Sequence, residues 1–202
     1  MSTAPSTASL WLDAPRLFQF SPLICQSPSC TEDGTVVLHY GGWTFLELFW
    51  NCVTAPFMGK EQWYNPRGNP WITDYYPSGY YALRLPVPDL DSGYKSREQQ
   101  RLSLLDGEDV APNVLIASAG VAIRLQTGQD PFPPDVTICA KDTWPDGKLC
   151  GWYWNDDKLH FNAGQYNNGR CPAQNAPISG CRTIVGAAAG GKLVRCDPRA
   201  TS

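Results

Sequence analysis

Cysteine is the residue type most able to do chemistry in this 202-residue chain, which carries eight of them. Their spacing sorts the options. A structural zinc site wants two short-spaced cysteine pairs. Cys25 and Cys30 are the closest pair, and no second knuckle follows. No Cys-x-x-Cys redox motif is present either, so neither a metal nor a cofactor is expected. Disulfides fit better. If 142–147 is a turn, counting outward along the flanking strands places Cys139 opposite Cys150; a turn at 187–190 likewise places Cys181 opposite Cys196. Residues opposed in an antiparallel pair lie about 4.5–5.5 Å apart at Cα, within disulfide range. Cys25 and Cys30 can close a small loop, leaving Cys52 and Cys171. Eight cysteines allow about 105 pairings, so the connectivity stays open.

The other reactive groups form no catalytic motif. His39 and His160 each sit between apolar neighbours in a strand-like run, and alternation turns them outward. No nucleophile elbow, zinc-protease helix or papain-like cysteine motif is present. Gly186 to Lys192 matches the spacing of a phosphate loop, but Leu193 stands where Ser or Thr must bind magnesium. Asp142 to Gly147 faintly resembles a calcium loop but has no acid at the third position and Tyr153 at the twelfth, so it reads as a tight turn. Glu47 is the one carboxylate set among aromatics. Burial beside Trp43, Phe45 and Phe49 would make it a general acid of glycosidase type, with Asp74, Asp89 or Asp91 as second acid. An outward-facing or Arg-paired Glu47 is the stronger reading, and no catalytic residue is assigned.

Aromatic side chains offer a different chemistry. Trp63, Tyr64, Trp71, Tyr75, Tyr76, Tyr80 and Tyr81 crowd into one segment rich in proline and glycine. Rigid Trp and Tyr rings stack on sugars or anchor protein contacts at small entropic cost. The competing use is a lid over a sheet.

The elements that must position these groups are mostly strands. Runs at 35–40 and 43–50, joined by Gly41-Gly42, carry the signature of a β-hairpin. In the second run Trp43, Phe45, Glu47 and Phe49 share a face. A strand is expected at 80–87, and the last third reads as strands at 136–141, 148–154, 158–161, 182–185 and 192–196. Two helices are expected. Ser96 and Gln99 fit a capping box ahead of 102–105, and Val114, Ala117, Val121 and Leu125 recur at helical spacing before Gly128. Residues 1–24 read as an extended N-terminal arm. Residues 25–202 then form one β-rich domain, with a cysteine-stapled part over about 135–202. The expected class is α+β, mainly β, hairpin-rich and antiparallel, with one or two short helices.

Composition narrows the function. A net charge of −3 without a basic cluster disfavours nucleic acid, and no apolar run has membrane-spanning length. The polar start lacks the look of a secretion signal, whereas paired cysteines suit an oxidising environment. A virion or extracellular setting reconciles the two. The expectation is therefore a non-enzymatic structural or binding protein of a virus particle, such as a phage capsid-decoration or tail component. It would assemble with itself or with other particle proteins through the arm and the aromatic segment. A carbohydrate-binding, lectin-like domain is the alternative, with a glycan on Trp63, Trp71, Tyr75 and Tyr80. A Glu47 glycosidase comes third.

Overall fold

The computed structural model describes residues 10–20, 36–59, 70–83, 109–132, 138–143, 149–163 and 191–194. In chain order they form strand β1 (Leu10–Asp13), helix α1 (Ala14–Leu17), strand β2 (Val36–Tyr40), helix α2 (Phe45–Trp50) and strand β3 (Gly79–Leu83). Helix α3 (Asn113–Thr127) follows, then strands β4 (Ile138–Thr143), β5 (Leu149–Asn155), β6 (Lys158–Ala163) and β7 (Gly191–Val194). Short 3₁₀ turns lie at Ala55–Phe57 and Pro70–Ile72. One sheet has four strands in the order β1-β2-β3-β7, and the other is the antiparallel meander β4-β5-β6. The fold is mixed and β-rich.

Helix α3 joins the two sheets. It packs against β1 and β2 of the first and against β4, β5 and β6 of the second. Every residue from Asn113 to Ile123 is buried, as expected of a helix covered on all sides. Small residues permit that position: a Cβ on Gly120 would lie 3.1 Å from the Phe132 ring. The helix stops where its sequence predicts. Gly128 adopts φ 70°, in the left-handed region, and its N–H donates to the Arg124 carbonyl at 2.9 Å.

The second strand of the expected Gly-Gly hairpin is instead helix α2. Thr44 Oγ1 accepts from the Glu47 N–H at 3.1 Å, and the Glu47 carboxylate accepts from the Thr44 N–H at 2.6 Å. This reciprocal capping box starts a helix whose Phe45 and Leu48, three residues apart, enter the core. Gly42, at φ 90°, turns the chain into it. Strand β2 pairs with β3 in an antiparallel ladder and with β1 in a parallel one. The sheet is thus not wholly antiparallel. The segment expected as an arm contributes its edge: Leu10–Asp13 is a sheet strand, and Leu12, Ala14 and Phe18 are fully buried.

The register expected between β4 and β5 is also corrected. Cys139 lies opposite Gly151, one residue from the alignment that faced it with Cys150. Between Cys139 and Thr143 the ladder shifts again, and Cys150 pairs across β5-β6 with Ala163. The expected helix over 96–105, the strand at 182–185, the turn at 187–190 and Cys25, Cys30, Cys171, Cys181 and Cys196 lie outside the described residues.

Three edge strands are each met by a hydrogen bond from outside their sheet. Gln126 Nε2 donates to the Trp11 carbonyl of β1 at 2.8 Å. The Lys141 N–H of β4 reaches Ala111 at 2.9 Å, and the Gly59 N–H reaches the Leu159 carbonyl of β6 at 2.8 Å. Such contacts occupy backbone groups that would otherwise template another strand.

Candidate functional site

The two most interesting carboxylates serve helix starts. Glu47 is exposed, and its side chain is engaged with Thr44, so the burial on which a general-acid role depends is absent. Asp142 is not part of the expected turn. It lies in β4, where its Oδ2 accepts from the Asn113 N–H at 2.5 Å, at the first turn of α3. Pro112 in the cap position offers no side-chain acceptor, so a strand downstream supplies one. Burial, the largest effect, raises the Asp142 carboxyl above its ordinary range, and nearby Asp74 adds to this. The bonds from Asn113 and from its own backbone, and Lys141, pull the other way. Lys141 pairs with Asp109 at 2.5 Å, and that hydrogen bond raises its pKa.

His39, expected to point outward, is instead largely covered, its side chain 12 % exposed and its Nδ1 3.0 Å from Asp13. The ring stacks with Tyr80 of β3 at 4.8 Å and lies nearly parallel to Trp11 of β1 at 6.3 Å. The sequence offered no sign of this cluster, because the parallel pairing of β1 with β2 brings Asp13 beside His39. His160 is half-buried on β6 and stacks with Tyr153. Among the described residues no group of His, Cys, Asp and Glu could hold a metal ion.

The expected aromatic platform is divided. Trp71 and Tyr81 are core residues: Trp71 packs on Phe45 and Phe161, and Tyr81 donates to the Pro77 carbonyl at 2.5 Å. Burial pushes the Tyr81 phenol up to about 12. Tyr76 and Tyr80 are half-buried, and only Tyr75, 73 % exposed, stands clear. Trp63 and Tyr64 lie outside the described residues. Trp71 and Tyr81 are thus core residues, Tyr81 within strand β3 itself, and neither is open to a ligand.

The largest exposed ring in the Trp43–Phe57 region is Trp50, 71 % exposed at the end of α2. Phe49 meets it edge to face at 5.0 Å and is half-buried. Helical rotation explains the arrangement: with Phe45 and Leu48 turned inward, Glu47 and Trp50 must face out. Asn51 then ties the helix end to α1, its Nδ2 donating to the Phe18 carbonyl at 3.0 Å. Phe20, 38 % exposed, stacks on Trp43 at 4.7 Å. Half-buried Phe57 lies in the 3₁₀ turn that contacts α2 and packs against the core. Cys52, expected to tie the halves together with Cys171, is instead exposed with a free thiol. Scattered exposed apolar residues are ordinary, but a Trp as exposed as Trp50 is a frequent centre of a contact surface.

No protein-family model matches this chain, and neither a curated protein nor a solved structure matches it. The site must therefore be read from its own chemistry. Among the described residues no helix is long and apolar enough to cross a membrane.

Proposed function

We propose that this chain is a non-enzymatic structural or binding protein that works through contact, with exposed Trp50 and its neighbour Phe49 seated on further copies of itself. The exposure of Trp50 carries this reading. An aromatic side chain removes about 150–250 Å² from water when covered. At about 25 cal/mol per Å² that is roughly 4–6 kcal/mol before the costs of association. The distribution of polar groups supports it too, because Glu47 and Asp142 are engaged at helix starts rather than gathered around an open cleft. The setting we propose is a virus particle, as a phage capsid-decoration or tail component. Its support is the count of eight cysteines, which suits a protein working outside a reducing cytosol. The aromatic segment, through exposed Tyr75, belongs to the same proposal as an additional contact.

The deciding measurement is the solution mass of the native protein across a concentration series, by light scattering or sedimentation. Self-association that weakens in Trp50→Ser is the expected result. A monomer at every concentration, with a mass indifferent to the substitution, overturns the proposal.

A carbohydrate-binding role is the second reading, favoured by the exposed ring of Tyr75. Quenching of Trp fluorescence on a glycan panel, lost in Tyr75→Ala, would support it; a flat response across the panel removes it.

A further inference from the structure

We draw no further inference here: the strongest candidate, the cluster of Asp74, Tyr76, Asp109, Lys141 and Asp142 at the N-terminal end of α3, is a group of acids at a helix terminus whose central carboxylate is already engaged by the Asn113 N–H, and no second observation points to a ligand.

Discussion

Asp142 in strand β4 caps helix α3 from outside the helix, its carboxylate taking the Asn113 N–H at 2.5 Å across 29 residues of sequence. One side chain thereby links the start of the central helix to the second sheet. Trp152 adds a parallel link, its indole N–H donating to Asn113 Oδ1 at 2.7 Å.

Losing this cap should be measurable. Asp142→Ala leaves the Asn113 N–H without its acceptor and is expected to cost about 1 kcal/mol, the usual worth of a helix cap. Chemical denaturation with an unchanged m-value checks it. No loss of stability would show that water replaces the carboxylate at no cost.

The pH dependence separates charge from geometry. The folded-state pKa of Asp142 is raised, chiefly by burial, so the folded chain holds this proton more tightly than the unfolded chain. Its contribution is fully present below the ordinary aspartate value of 3.8 and is lost as pH rises through the folded value. Asp142→Asn keeps an acceptor oxygen and does not titrate. Its stability relative to the native protein should therefore rise between about pH 3 and pH 7. A constant difference across that range would contradict the assignment.

The capping box of α2 predicts an asymmetry. Thr44→Ala removes the hydroxyl that accepts from Glu47 N–H and should cost about 1 kcal/mol. Glu47→Gln should cost only a few tenths of that, roughly 0.3 kcal/mol, because glutamine also serves in this position. Thermal or urea unfolding of both variants gives the test. Equal losses would mean that the Glu47 charge does more than close the box.

Two glycines with positive φ should respond differently to alanine. At Gly128, φ 70°, an added Cβ meets nothing within 4 Å, so only backbone strain applies, about 1 kcal/mol. At Gly42, φ 90°, the Cβ would also lie 3.2 Å from that of Ser78. Gly42→Ala should therefore be the more destabilising, by about 1–3 kcal/mol in all. The order of the two unfolding midpoints decides it.

Two tryptophans separate contact from core. Trp71→Ala should cost about 3–5 kcal/mol, since the ring fills space against Phe45 and Phe161. Trp50→Ser should change monomer stability by less than about 0.5 kcal/mol, while lowering self-association. A large stability loss at Trp50 would place that ring in the folded monomer's packing instead of at a contact surface.

Where neighbours in sequence carried the information, the structure was legible. Helix α3 follows from Val114, Ala117, Val121 and Leu125 at helical spacing and from Gly128 as a stop. The β5–β6 hairpin lies close to the strands expected at 148–154 and 158–161, with Asp156 and Asp157 at positive φ in the turn between them. Thr44 and Glu47 have the spacing of a capping box, a local signal for α2 that the strand expectation over 43–50 left unused.

By itself, then, the sequence determined a β-rich mixed chain, its long central helix and the meander that follows, because those elements repeat over enough residues to declare their period. Only the tertiary structure decided the state of α2, the parallel pairing of β1 and the split of the aromatics into buried Trp71 and exposed Trp50. A helix of six residues is too short to hold itself in water. Its conformation, and hence which side chains face out, comes from the core that receives Phe45 and Leu48. Parallel pairing of Leu10–Asp13 with Val36–Tyr40 joins segments distant in sequence, and no local period encodes such a contact.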